Sequence, residues 1–135
     1  MELRGGNMTK EGKIIIPAHV NVWPHELQTA KTLASAGFTV EFLPCIQGDK
    51  IKSPDILLDG FPWEIKSPQS GRIEAIERNI RRACQQSKCV VLDTRRMKHL
   101  NVKTIVKESY ACTKRIKSLK RLLVIVHPDE VLAIK

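Results

Sequence analysis

Residues 53–68 read Ser-Pro-Asp-Ile-Leu-Leu-Asp-Gly-Phe-Pro-Trp-Glu-Ile-Lys-Ser-Pro, and this stretch decides the fold. The apolar run at residues 56–58 and the alternating run at residues 63–66 predict two short strands. Asp59-Gly60, between them, is a strong signal for a tight hairpin turn. Pro62 is tolerated at the edge of a strand. We therefore expect an antiparallel hairpin.

The predicted hairpin has Gly60 and Phe61 at its tip, which fixes every pair of residues across the two strands. The residues predicted to face one another are Leu58 and Trp63, Leu57 and Glu64, Ile56 and Ile65, and Asp55 and Lys66. Side chains alternate between the two faces of a sheet. One face therefore carries two carboxylates and an ammonium: Asp55, Glu64 and Lys66. The other face is apolar and can enter a core: Ile56, Leu58, Trp63 and Ile65.

Two acids and an amine on a small area of sheet suit metal-assisted hydrolysis of a phosphodiester. Asp55 and Glu64 offer the hard oxygen ligands that Mg²⁺ and Mn²⁺ prefer, and Zn²⁺ is also possible. Lys66 can orient the attacking water or stabilise developing charge. The alternative is a surface hairpin with an Asp55–Lys66 pair worth well under ~1 kcal/mol. The apolar flanks favour a buried hairpin. Three charges there would be costly to bury, which favours a functional role for them.

The order of Pro54-Asp55 and then Glu64-Ile65-Lys66 resembles the signature of the PD-(D/E)xK nuclease superfamily. Within that superfamily, the chain is similar to the C-terminal toxin domain of contact-dependent growth inhibition proteins of the CdiA type. The similarity spans roughly residues 19–93. It also includes His25-Glu26, Thr29-Ala30, Leu33-Ala34, Gly37, Gln86-Ser87 and Val90-Val91-Leu92-Asp93.

The resemblance implies a restriction-endonuclease-like αβββαβ core and a metal-dependent endonuclease. It implies that Glu26 and the backbone carbonyl of Ile65 complete the metal shell of Asp55 and Glu64. It also implies that Gln86 contacts the nucleophilic water or a phosphate. From the residues alone, Glu26 is equally an acid favoured by the helix dipole in a first turn, and Gln86 is an ordinary polar helix end.

The resemblance favours a toxin that cleaves tRNA or another RNA and that travels with an acidic immunity protein. Two alternatives fit the same residues: a DNA nuclease of a phage or mobile element, and a non-catalytic nucleic-acid-binding module. We expect the site of action to be the cytoplasm, because the start of the chain shows no signal peptide. No membrane partner is expected, since no apolar run approaches the ~20 residues of a membrane span.

Composition indicates one folded domain that binds a polyanion. The 135 residues suffice for a single core, and the net charge of +9 attracts nucleic acid. Residues 1–12 are polar and contain glycine, so we expect a flexible arm before a domain at residues 13–135. The four cysteines lack zinc-site spacing and are predicted to be free thiols.

Positive charge concentrates between residues 95 and 121, where Glu108 is the one acid. The predicted phosphate contacts are Arg95, Arg96, Lys98, Lys114, Arg115 and Lys117, with Lys50 and Lys52 from an earlier loop. Aromatic side chains are scarce in this stretch, so recognition is expected to depend on backbone and shape rather than on base stacking.

Periodicity and turn signals predict alternating strands and helices. Besides the hairpin, strands are predicted at residues 13–16, 38–43, 89–92 and 122–126, and helices at residues 24–36, 73–87 and 101–117. Residues 131–134 could form a strand or a helical turn. This order predicts an α/β fold with a mixed central sheet flanked by helices.

Overall fold

The computed structural model of the chain describes residues 11–44 and 54–135. Lys50 and Lys52 lie outside these residues, as does most of the predicted N-terminal arm. The helices are α1 (Pro24–Ser35), α2 (Glu74–Ala83) and α3 (Val102–Arg115). The strands are β1 (Ile14–Ile15), β2 (Val40–Phe42), β3 (Ile56–Leu58), β4 (Phe61–Lys66), β5 (Cys89–Asp93), β6 (Arg121–Val126) and β7 (Glu130–Ala133).

Seven strands form one mixed sheet in which spatial order follows chain order, from β1 to β7. The pairs β1–β2, β4–β5 and β5–β6 are parallel, and a helix connects each of them. The other three pairs are antiparallel. The predicted mixed α/β fold is thus confirmed, and residues 131–134 contribute to a strand rather than a helical turn.

Both faces of the sheet are covered, which explains the continuously apolar sequences of β5 and β6. On one face, α1 packs through Ala30 and Leu33 against a cluster that includes Ile56, Trp63 and Ile65. On the other face, α2 and α3 pack through a second cluster, whose members include Ala75, Ile76, Ile80, Ile105 and Cys112. Alternate residues of β5 divide between them, since Val91 joins the first cluster and Val90 and Leu92 join the second.

The hairpin register differs from the prediction by two residues. Leu58 pairs with Phe61 and Ile56 with Trp63, so the two-residue tip is Asp59-Gly60 rather than Gly60-Phe61. Both tip residues have positive φ, 49° for Asp59 and 87° for Gly60. Aspartate and glycine tolerate this conformation, whereas phenylalanine resists it, so the turn selects the register.

A shift of two residues keeps every side chain on its predicted face, because side chains alternate with a period of two. Ile56, Leu58, Trp63 and Ile65 therefore still enter the core beneath α1. The shift does change the cross-strand neighbours of the charged residues. Asp55 no longer lies opposite Lys66; continuing the observed register by one pair sets Asp55 opposite Glu64.

The folded chain already includes Gly12, which was predicted to belong to the arm. Its N–H donates to the carbonyl of Ala34 at 2.8 Å, which ties it to the end of α1. A Cβ at this position would lie 1.7 Å from the carbonyl oxygen of Phe38, so the close approach requires glycine.

Candidate active site

Asp55 is held between two strands at the start of β3. Its backbone carbonyl accepts a hydrogen bond from the N–H of Leu43, beyond the end of β2, at 2.9 Å. Its side-chain Oδ2 accepts from the backbone N–H of Ile65 in β4 at 3.0 Å. The Asp55 carboxylate therefore takes the place of a ladder acceptor and is fixed beside the carboxyl end of β4.

Glu64 projects from β4 on the face opposite Ile65 and is only 4% exposed. The pKa of this carboxyl is raised to about 8, chiefly by burial and next by the nearby carboxylate of Asp55, against the opposing effect of Lys66. The hairpin register and the hydrogen bond from Ile65 to Asp55 place the two carboxyl groups next to each other. A buried acid beside a second carboxylate is typical of functional sites, where groups with strongly shifted pKa values carry out chemistry.

Lys66 completes the group at the end of β4. Its Nζ lies 3.6 Å from Oε2 of Glu64, and its side chain is 25% exposed. The predicted cross-strand partner of Lys66 was Asp55, but the structure pairs it with Glu64, two residues earlier on the same face. Asp55, Glu64 and Lys66 thus meet in one place, with a partly open ammonium beside two acids.

Glu26 lies in the first turn of α1 and lines a cavity of about 340 Å³ together with Asp55. Its Oε1 accepts a hydrogen bond from the backbone N–H of Trp23 at 3.2 Å, so it also stabilises the start of the helix. His19 and Asn21 line the same cavity. Sequence reasoning missed both as site residues, although they lie in the connection that leads directly to Glu26.

Gln86 follows α2 and is placed near the beginning of β4 rather than its end. The neighbouring Ser87 donates its hydroxyl to the carbonyl of Pro62 at 3.0 Å, and Pro62 shares a face of β4 with Glu64. Among the described residues, no hydrogen bond joins Gln86 to Asp55 or Glu64, so its predicted role in the site stays a prediction.

Three buried polar atoms have no hydrogen-bond partner among the residues that the structure describes: Glu64 Oε1, Ser67 Oγ and Gln86 Oε1. Two of them belong to predicted site residues, and the third belongs to the residue after Lys66. Unsatisfied buried polar atoms are rare in folded proteins, and bound ligands are one of their causes. A free carboxylate oxygen beside the acid Asp55 has the donor chemistry of a divalent-cation site.

Two of the predicted phosphate contacts, Arg95 and Arg115, form ion pairs within the chain. Arg95 binds the buried Asp93 through its Nε at 3.0 Å and its Nη2 at 2.8 Å, and its Nη1 donates to Thr32 of α1 at 2.8 Å. Burial opposes the charged form of Asp93, but the hydrogen bonds from Arg95 and Thr29 outweigh it and hold the pKa below its usual range. This network ties β5 to α1.

Arg115 is the second such residue. Its guanidinium pairs with Glu77 of α2 at 2.7 Å and with Glu108 of α3, so it joins the two helices. Oxygens of these two acids and the sulfur of Cys112 lie within 4.8 Å of one another. Because Arg115 already engages both carboxylates, this cluster is accounted for by an ion pair.

The other predicted contacts remain on the surface. Arg96 Nη1 donates to the carbonyl of Ser67 at 3.1 Å, next to Lys66. Lys98, Lys114 and Lys117 are exposed. In the part of the chain that the structure describes, no helix has the length and apolar character needed to cross a membrane.

The site lies within a stretch of sequence that matches a known protein family. Residues 52–131, which include the hairpin, match the family described as the contact-dependent growth inhibition CdiA C-terminal domain. The chain belongs to this family. The matched range contains Asp55, Glu64 and Lys66, whereas Glu26 lies before it.

One solved structure shares the fold of this CdiA C-terminal domain. It is described as a CdiA-CT/CdiI toxin and immunity complex from Burkholderia pseudomallei. The TM-score is 0.69 at 21% identity, and the alignment covers 92% of this chain and 99% of that chain. No curated protein gives a significant match.

Proposed function

We propose that this domain is a metal-dependent nuclease that acts as a toxin. The observation that carries the proposal is the meeting of Asp55, Glu64 and Lys66 at the carboxyl end of β4, the middle strand of the sheet. Glu64 is buried beside a second carboxylate, where its charged form is disfavoured. Burying one carboxylate beside another destabilises the folded state. A bound cation would compensate for this repulsion, as expected at a functional site.

The donor set fits a divalent cation. Asp55, Glu64 and the carbonyl of Ile65 would hold Mg²⁺ or Mn²⁺, with Glu26 as a further carboxylate from the cavity that it shares with Asp55. A divalent ion in such a site lowers the pKa of bound water and offsets charge on phosphate oxygens. Because the pKa of Glu64 is raised to about 8, binding of the cation near neutral pH should release a proton.

Side chains of this protein position the reacting groups and supply positive charge beside the two acids. The ammonium of Lys66 lies at the open side of the acids, where it can orient the attacking water and stabilise negative charge that develops on the phosphate. The hydrogen bond from the backbone N–H of Ile65 to Asp55 holds the Asp55 carboxylate beside that of Glu64. The restriction-endonuclease-like core is the fold we propose for this arrangement, since the elements from α1 to β5 follow the order αβββαβ.

We further propose an RNA substrate of the tRNA class and an immunity protein as partner. Membership of the CdiA C-terminal family supports a toxin, and the solved relative of the same fold is a toxin and immunity complex. The net charge of +9 favours a polyanionic substrate and an acidic inhibitor. The proposed site of action is the cytoplasm, where tRNA is found.

The proposal is tested by incubating the protein with total tRNA and, separately, with plasmid DNA, in Mg²⁺, Mn²⁺, Zn²⁺ or EDTA. Metal-dependent cutting of tRNA is expected, and cutting of plasmid alone would identify a DNA nuclease instead. Intact substrate under every condition, with salt-sensitive retention, would identify a binding module. Independently of activity, Mn²⁺ should raise the melting temperature of the wild type but not of Glu64→Gln.

A further inference from the structure

The outward side of α3 carries three lysines in line, which we call the lysine stripe: Lys103, Lys107 and Lys114. All three are exposed. With 3.6 residues per turn, they fall within an arc of about 40° around the helix. The buried residues of α3 lie on the other side of the helix: Ile105, Ser109 and Cys112. The stripe therefore faces directly away from the core.

Folding does not use these charges. Among the described residues, none of the three lysines takes part in an ion pair. Glu108, the acid of this helix, forms an ion pair with Arg115. Lys103 even lies in the first turn, where a cation opposes the helix dipole. The stripe is thus an unneutralised row of positive charge.

The loop that leads into the stripe contacts the residues that follow Lys66. Arg96 donates to the carbonyl of Ser67, the residue after Lys66. The carbonyl oxygen of Lys98 lies 2.6 Å from the position that a Cβ of Gly71 would occupy, so the loop before α3 packs against the segment that follows β4. The segment that carries Arg96 and Lys98 therefore lies between the residues after β4 and the start of α3.

We propose that the lysine stripe, continued by Lys98 and Arg96, is a docking surface for the sugar–phosphate backbone of the nucleic acid that is cleaved. This inference rests on the proposed function and adds a second contact region to it. From Lys103 to Lys114 the helix rises about 16 Å, enough to face several consecutive phosphates. Lysines on a helix surface contact phosphate without reading base edges, so the surface sets affinity and orientation rather than sequence preference.

Binding is measured in the Glu64→Gln background with EDTA, so that no substrate is cut. Fluorescently labelled tRNA is titrated at several salt concentrations with the parent, with K103Q/K107Q/K114Q, and with the matched control K13Q/K31Q/K88Q. The control removes three exposed lysines elsewhere on the domain. Thermal melts verify that all three proteins are equally folded.

The stripe variant should bind at least tenfold more weakly near 150 mM salt, and its salt slope should fall by about 2, since each lost phosphate contact removes roughly 0.7–0.9. The control should stay within about threefold of the parent. Tyr110→Ala, which alters the exposed ring between the lysines, should also stay within about threefold, because backbone contacts do not require stacking.

Equal losses in the stripe and control variants would overturn the inference, since net charge alone would then explain binding. A loss for Tyr110→Ala as large as that of the stripe variant would overturn backbone docking. Cutting by the wild type together with unchanged binding by the stripe variant would remove the docking surface and leave the proposed function intact. Stripe-dependent binding without any cutting would support the docking surface and overturn the proposed nuclease function.

Discussion

The backbone N–H of Ile65 donates a hydrogen bond to Oδ2 of Asp55 at 3.0 Å, across the β3–β4 hairpin. This bond fixes the first acid against the strand that carries the second acid and the lysine. It occurs because the Asp-Gly turn sets the register of the hairpin. The turn at Asp59 and Gly60 thus determines that Asp55 lies opposite Glu64 on the neighbouring strand.

Asp55→Asn should separate the structural role of this residue from its chemical one. An amide oxygen can still accept the hydrogen bond from Ile65, so we expect the free energy of unfolding to change by about 1 kcal/mol or less. Cleavage should fall at least 100-fold, because a charged ligand of the cation is lost. The pKa of Glu64, followed by NMR, should fall, since the Asp55 charge helps to raise it.

The control for this change is Asp129→Asn, which removes the charge of an exposed acid. It should leave cleavage and the pKa of Glu64 unchanged. If Asp55→Asn left the pKa of Glu64 where it is, the two carboxylates would not share a site.

Glu64 should make the metal-free protein less stable as the pH rises. Its pKa in the folded state is about 8, above the ordinary value of 4.5, so the folded state holds the proton more tightly between these values. The free energy of unfolding should therefore be highest, as far as Glu64 is concerned, below about pH 4.5 and should fall until about pH 8. Urea denaturation in EDTA at pH 5, 6.5 and 8 measures the slope.

Glu64→Gln should remove this part of the pH dependence and raise stability at pH 8 by about 1–3 kcal/mol, because a neutral amide is less costly to bury than a carboxylate. Parallel stability curves for the wild type and Glu64→Gln would contradict the burial and coupling described for this residue.

Two substitutions of Glu26 distinguish a role in the site from a role in the helix cap. Glu26→Gln retains an acceptor for the N–H of Trp23, so the melting temperature should change little, while cleavage should fall about tenfold or more through loss of a carboxylate near Asp55. Glu26→Ala should lose the same activity and also about 1 kcal/mol of stability. Full activity in Glu26→Gln would assign this residue to the cap alone.

Arg95 should prove to be a residue of the folded core rather than a phosphate contact. Arg95→Met leaves Asp93 buried without its charged partner and should cost about 3 kcal/mol of unfolding free energy. The pKa of Asp93 is held low, so its contribution to stability is present above about pH 3.8 and is lost as the pH falls through the lower folded value. Chemical denaturation measures both effects.

The control is Arg121→Met, since Arg121 is exposed at the start of β6 and should cost little. The interpretation would be contradicted if Arg95→Met left stability unchanged and weakened tRNA binding selectively.

Local signals predicted the secondary structure well because they act through neighbouring residues. Asn101 caps α3 through a hydrogen bond from the N–H of Thr104 to Oδ1 at 2.8 Å, as the sequence indicates. Gly37 takes a φ of 99° at the end of α1. The apolar runs of β5 and β6 are buried throughout the interior of the sheet.

Pairings between distant residues could not be predicted in the same way. Arg95 reads as one more cation in a basic stretch, and nothing local shows that Thr32, 63 residues earlier, accepts from it. Arg115 likewise pairs with Glu77 across two helices. The predicted hairpin tip, Gly60-Phe61, was wrong by one position, because both tip residues need positive φ and Asp59-Gly60 tolerates it better.

The measurement that tests the central claim most directly is the rate of tRNA cleavage in Mg²⁺ or Mn²⁺ by the wild type, by Glu64→Gln and by the exposed control Glu130→Gln. We predict cutting by the wild type and the control at equal rates, none in EDTA, and at least a 100-fold loss in Glu64→Gln with its fold intact. Cleavage by Glu64→Gln at the wild-type rate, or in EDTA, would contradict a catalytic role for the acids at positions 55 and 64.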